Sequence, residues 1–161
     1  KAALTGHLVL STLHTNDAIN TISRLINMGV PNYLIAAALS LIIAQRLGRK
    51  ICAECKEEDD KITLEHLTSI GFSTEQASRT KLYKGKGCAK CKQTGYRGRQ
   101  GIYEILEISQ NMENAILQNK STTELKVIAA KENFITMQDM GRSFLVEGII
   151  SFEEFERVLS V

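Results

Sequence analysis

All four cysteines of the chain fall in two C-x-x-C pairs, Cys52/Cys55 and Cys88/Cys91. Each pair can offer two thiolates to one metal ion from a single tight turn. Two such turns complete the tetrahedral S4 shell that zinc favours. The 32 residues between the pairs exceed the common spacing of such sites, so an insert must bridge them. Disulfides, a redox dithiol and an iron–sulfur cluster draw on the same residue type. No export signal precedes the pairs, and a reducing compartment disfavours disulfides. A redox motif lacks its surrounding βαβ unit. Zinc is the expected metal, ahead of an iron–sulfur cluster. A closed S4 site leaves no position for water or substrate, so its role is structural.

The charges around the cysteines are segregated. Residues 54–60 carry five carboxylates and one Lys, and residues 81–99 carry seven Lys or Arg and no carboxylate. Closing the metal site would bring the acidic turn beside the basic one. Four thiolates and one Zn2+ would also take the formal charge from +2 to zero. Removal of the metal is expected to unfold roughly residues 51–100.

A second constellation is His14, Thr15 and Asn16, followed by Asp17. The segment 7–13 (HLVLSTL) reads as a buried strand, and Thr15, Asn16 and Asp17 are all good helix N-caps. Ligands bind at the carboxyl ends of strands in open α/β sheets, and helix N-termini attract phosphate. On that reading His14 donates to a phosphate oxygen, with Thr15 and Asn16 beside it. The plainer reading makes Thr15 or Asn16 a helix cap and His14 a solvated turn residue, and the physics of this segment alone favours it. His7 and His66 carry weaker signals, and His66 reads as exposed.

The elements that must position these groups follow from periodicity. A helix to about Met28 places Ile19, Ile22, Leu25 and Ile26 on one face and ends at Gly29. A second helix, with Pro31 in its first turn, is expected to run to about Leu47. Two short helices over about 63–70 and 74–79 fill the insert, the latter with a Ser73/Gln76 capping box. A short strand is expected at 81–83 and a clear one at 101–108. Tyr103 and Glu104 fall on opposite faces of that strand, so at most one of them is core. From Ser109 onward the pattern is helical, with capping boxes at Ser121/Glu124 and Ser151/Glu154. Glu153, Glu154 and Glu156 read as solvated helix-surface carboxylates. Gly98 and Gly101 read as positions of close backbone approach.

Bulk properties limit the function classes. Apolar residues make up 43% and charged residues 24% of 161 residues, as in a globular protein, and Gly plus Pro total only 12. The longest apolar run, 34–44, is too short to span a bilayer. The chain lacks an initiator Met and opens in mid-element, so it is expected to be a piece of a longer protein.

The segment around His14 resembles the histidine box of the type II secretion and type IV pilus assembly ATPases, the general secretory pathway protein E-like family. Met28-Gly-Val-Pro, Ala44-Gln-Arg-Leu, the cysteine pairs, Gly95-Tyr-Arg-Gly-Arg-Gln-Gly-Ile-Tyr-Glu-Ile-Leu and Gly148-Ile-Ile-Ser-Phe-Glu-Glu follow in the family's order. The Gly-Ile-Tyr-Glu wording looks more like the pilus-assembly branch.

The resemblance implies a partial RecA-like α/β ATPase core over residues 1–50 that carries the histidine box. It implies a four-cysteine zinc subdomain over 51–100, and a strand and α-helical region over 101–161. It further implies a cytoplasmic homohexamer peripheral to the inner membrane, using ATP and Mg2+ and working with an inner-membrane platform protein and pilus or secretion components. His14 is similar to the family's γ-phosphate-sensing catalytic residue, with Thr15 and Asn16 beside the nucleotide. Cys52, Cys55, Cys88 and Cys91 match the family's zinc ligands.

One departure stands out. No G-x-x-x-x-G-K-[ST] loop occurs in the chain, so the backbone cradle and lysine for the β- and γ-phosphates are absent. The chain alone is therefore expected to be inactive and to bind ATP weakly. A zinc-containing interaction module is the first alternative. A zinc-ribbon nucleic-acid binder using the basic run with Tyr83 and Tyr96 is the second, and nucleic acid is not expected as a partner.

Overall fold

The computed structural model describes residues 2–160. Residues 1 and 161, the outer ends of the expected 1–50 and 101–161 segments, lie outside the described residues. The chain folds as two compact units, 1–45 with 103–137 and 46–102 with 138–161.

In the first unit, helix α1 (Ala18–Asn27) buries Ala18, Ile19, Thr21 and Ile22. Helix α2 (Asn32–Ala38) starts just after Pro31. Strand β1 (Leu41–Ile51) begins in this unit, and strand β4 (Tyr96–Glu107) ends in it. Helices α5 (Gln110–Leu117) and α6 (Thr122–Lys131) complete it. Their buried faces, with Met112, Ala115, Ile116, Leu125 and Ala129, form its core with α1 and α2. Ser109 and Ser121 cap α5 and α6 locally, and the Ser121/Glu124 box is complete.

The segment 7–13, expected as a buried strand, has no regular structure and is exposed. Leu8 is 87% and Leu10 86% exposed. A strand needs a neighbour to take its backbone N–H and C=O groups. Among the described residues the only sheets are β1 with β4 and β2 with β3.

The second helix also ends earlier than its apolar run. It stops at Ala38, and 41–51 is strand. A short apolar run fits either period. Pairing with β4 decides it, burying Ile42 and Ala44 and turning Leu41 and Ile43 outward. On β4, Tyr103 faces out and meets Gln45, while Glu104 is the core member of the pair.

In the second unit, β2 (Lys56–Glu58) and β3 (Tyr83–Gly85) pair antiparallel, with Glu57 opposite Lys84. The expected strand at 81–83 therefore lies slightly later. Helices α3 (Leu64–Ser69) and α4 (Thr74–Arg79) fill the connection between these strands. The Ser73/Gln76 box is present, and His66 closes a second box with Thr63 while its ring lies 5.7 Å from that of Phe152. Helix α7 (Met137–Val146), whose first residue falls in the first unit, and helix α8 (Phe152–Leu159) pack through Gly141, where an added Cβ would strike Leu159 and Phe155. Gly98 is needed for its φ of +81°, not for close approach, because the nearest atom to an added Cβ is 4.0 Å away.

Glu154 corrects a sequence expectation. It is fully buried, whereas Glu153 and Glu156 are exposed. Its carboxylate accepts from the Arg49 backbone N–H at 2.6 Å, from Arg49 Nε at 2.8 Å and from Arg157 Nε at 2.8 Å. The Arg49 guanidinium also lies 4.1 Å from the Tyr96 ring centre, and the Tyr96 hydroxyl meets Ser151 Oγ at 2.7 Å. Ser151 caps α8, but the Glu154 side chain turns to the arginines and leaves the box half made. Two guanidinium groups are stronger partners than one backbone N–H.

Burial raises the Glu154 pKa, but hydrogen bonds from Arg157 and Arg49 outweigh it and hold the group down at about 2, against an ordinary 4.5. Because the folded value is depressed, the stabilisation is fully present above about pH 4.5 and fades as pH falls toward 2. It amounts to about 3 kcal/mol. Glu154→Gln should lower stability at pH 7 by about 3 kcal/mol, since the buried carboxylate that binds two partly exposed arginines is lost. Urea unfolding of both proteins at pH 7 and pH 3 should show the gap narrowing at the lower pH. A gap independent of pH would refute this account.

Candidate metal centre and histidine segment

Each cysteine pair sits on one 3₁₀ turn, Ala53–Cys55 and Ala89–Cys91. The second turn closes through Lys92 and Gln93, both in the left-handed region at φ 55° and 64°. That lets Gln93 N–H donate to the Cys88 carbonyl at 2.9 Å and Gly95 N–H to Cys91 Sγ at 3.2 Å.

The two turns meet where Gly85 and Gly95 lie backbone against backbone. A Cβ on either would overlap the carbonyl of the other. Cys52 N–H donates to the Gly95 carbonyl and Lys86 N–H to the Cys55 carbonyl, each at 2.9 Å. All four Sγ atoms thereby come within 4.8 Å of one another. Individual separations are 3.9 Å for Cys52–Cys88, 3.9 Å for Cys55–Cys91 and 3.7 Å for Cys88–Cys91. Metal–sulfur bonds of about 2.3 Å in a tetrahedron set sulfur atoms about 3.8 Å apart. The four thiols are free.

The donors around the sulfurs also suit a cation site. Backbone N–H groups of Cys88 and Gly95 point at Cys91 Sγ, and that of Gly87 points at Cys55 Sγ. Burial opposes the Cys91 thiolate. The two N–H groups and the thiols of Cys88 and Cys55 prevail and bring it down to about 6. Cys55 is pushed up to about 12, first by burial and then by the neighbouring thiols, against the Gly87 N–H. A bound cation would reverse that penalty, since a coordinating thiol is deprotonated outright.

The flanking charges close as the sequence implies. Lys90 pairs with Glu54 at 2.8 Å, and Lys84 pairs with Asp59 and Lys81 with Glu58 at 2.9 Å.

The histidine segment lies in the first unit and the cysteines in the second. His14 and Asn16 are exposed and Thr15 is half-buried. Thr15 Oγ1 meets Thr21 Oγ1 at 2.8 Å. The N-cap of α1 is Asp17, which accepts from Asn20 N–H at 2.6 Å. The Ala18 N–H is taken by Glu104. The helix N-terminus expected to attract phosphate thus already holds two carboxylates. Any phosphate contact in this segment falls to side chains.

Sequence reasoning missed Glu104, Glu154 and Arg49. A carboxylate in the apolar alternation of β4 was the available signal for Glu104. The i, i+3 spacing of Glu154 and Arg157 was the signal for the other pair, overshadowed by the capping box.

The family model described as "Type II/IV secretion system protein" matches residues 1–157. The type IV pilus assembly ATPase PilB of Pseudomonas aeruginosa is 44% identical over 98% of this chain and 28% of its own length. PilB of Thermus thermophilus is 44% identical over 96% of the chain and 17% of its own length. Type II secretion system protein E of Pseudomonas aeruginosa is 37% identical over 98% of the chain and 31% of its own length. The chain therefore spans less than a third of each of these relatives, and the pilus-assembly branch is favoured.

Gly95→Ala should prise the two turns apart. It should weaken metal retention and cost the metal-bound form about 1–3 kcal/mol. Competition with a colorimetric chelator measures the first and thermal melting with metal the second. Unchanged retention would show that the glycine contact does not set the sulfur cluster.

Proposed function

The chain belongs to the type II/IV secretion system protein family, and from that premise we propose that it is the C-terminal portion of a cytoplasmic hexameric ATPase that powers type IV pilus assembly. The observation that carries this reading is the 44% identity to pilus assembly ATPases across nearly the whole chain. Type II secretion is the neighbouring reading within the family. The parent would use ATP with Mg2+. It would act peripherally at the inner membrane with a platform protein and pilus components. No helix among the described residues is long and apolar enough to cross a membrane.

In this reading residues 1–50 supply part of a RecA-like core, residues 51–100 the zinc subdomain and residues 101–161 the C-terminal helical region. His14 meets the γ-phosphate, flanked by Thr15 and Asn16, and its exposure supports that role. Cys52, Cys55, Cys88 and Cys91 hold one structural Zn2+, supported by their separations and N–H···S bonds. Ion pairing of Lys81, Lys84 and Lys90 with the acidic turn weighs against nucleic acid as a partner.

Three measurements test the reading. In the full-length protein, His14→Ala should cut ATP turnover by about 10- to 100-fold. The 161-residue chain should bind ATP no tighter than about 1 mM by calorimetry, and micromolar binding would overturn that. Elemental analysis should find one zinc per chain. Its removal by chelator should speed amide exchange across 51–100 and spare the terminal helices. Equal protection with and without metal would remove the structural role.

A further inference from the structure

We propose that Glu104 is a positioning residue for His14, Thr15 and Asn16; this rests on the reading of His14 as the group that meets the γ-phosphate. Glu104 is 4% exposed, and its two oxygens serve two helix starts. One accepts the Ala18 N–H at the head of α1, and the other accepts the Met137 N–H at 3.1 Å.

Helices α3, α4, α5, α6 and α8 begin on local serine or threonine caps. Helix α1 has its own local cap in Asp17 and then receives Glu104 as well, from 86 residues away. That second carboxylate satisfies the buried Ala18 N–H, which Asp17 leaves to another partner. It also fixes where that start lies relative to the β1–β4 ladder, on which Glu104 sits.

His14 needs such an anchor from its downstream side. Upstream, residues 8–13 pair with no strand among the described residues. Downstream, only Thr15, Asn16 and Asp17 separate it from Ala18. Thr15 is bonded to Thr21, Asp17 to Asn20 and Ala18 to Glu104. The imidazole is thus carried on a short segment whose far end is held by a buried charge. Only a carboxylate can do this without conflict. Glutamine would turn an amide NH2 toward one of the two N–H donors, and alanine would leave both unpaired.

The test is a mutant cycle on ATP hydrolysis by the full-length protein, using Glu104→Gln, His14→Ala and the double variant, each checked by urea unfolding. Glu104→Gln should lower kcat by about 10- to 100-fold, with KM within about twofold of wild type because the lost interaction belongs to the transition state. The double variant should be no slower than His14→Ala alone, since both changes disable one group. Amide exchange at residues 18–20 should quicken in Glu104→Gln.

Should Glu104→Gln fail to fold, Ala18→Pro takes its place. Proline is tolerated in the first turn of a helix and deletes the one N–H in question. Asp17 already has the extended backbone that a following proline requires. A wild-type rate for the Glu104 or Ala18 variant, or a loss that multiplies with that of His14→Ala, overturns the proposal while leaving the His14 reading intact. Full activity of His14→Ala instead removes the His14 reading, and the positioning role goes with it.

Discussion

Four sulfur atoms can gather around one point here only because two glycines touch back to back. Gly85 and Gly95 bring the two cysteine turns to a separation that any side chain would forbid. The rest of the metal region follows from that approach. The β2–β3 pairing places Lys56 opposite Gly85 and so sets the first turn against the second. The acidic run then lies beside the basic run, and three ion pairs form between partly exposed groups. Such pairs contribute little individually. Their effect is to cancel a positive field that the sequence alone would suggest. The long insert is tolerated because loop length adds closure entropy only slowly, and α3 and α4 give it structure.

Each unit also buries one glutamate, and the two solve the desolvation problem differently. Glu154 meets two guanidinium groups and a backbone N–H, and its pKa falls to about 2 despite burial. Glu104 meets two helix starts, where aligned peptide dipoles present partial positive charge. The first arrangement joins Arg49, Tyr96 and α8 within the second unit. The second fixes backbone within the first. In both cases the carboxylate acts over more than thirty residues of sequence, a range that local pattern reading does not reach.

Legibility followed range. The cysteine pairs, the serine caps and most helices were readable because their signals repeat within a few residues. The Ser73/Gln76 and Ser121/Glu124 boxes form as their spacing implies. Where two periods fit one apolar run, as over 34–47, only the cross-strand partner could decide, and it lies some sixty residues away. The segment 7–13 has the composition of a buried strand, but composition cannot supply a neighbour. Glu154 misled because one residue satisfied two local patterns, a capping box and an i, i+3 ion pair. The further partner, Arg49, is distant in sequence.

The start of α1 shows how such long-range contacts bear on function. A free helix N-terminus is an anion site, and a histidine just ahead of one invites the picture of phosphate resting on helix and imidazole together. Asp17 and Glu104 alter that picture, because two carboxylates already take the Asn20 and Ala18 N–H groups. Their charge repels a second anion at the same point. On the proposed reading, a phosphate at this corner would lie further out, toward the exposed His14 side chain. The imidazole is then the group that would meet it there. The same carboxylates that close the helix end to an anion are thus what the proposed role of His14 rests on.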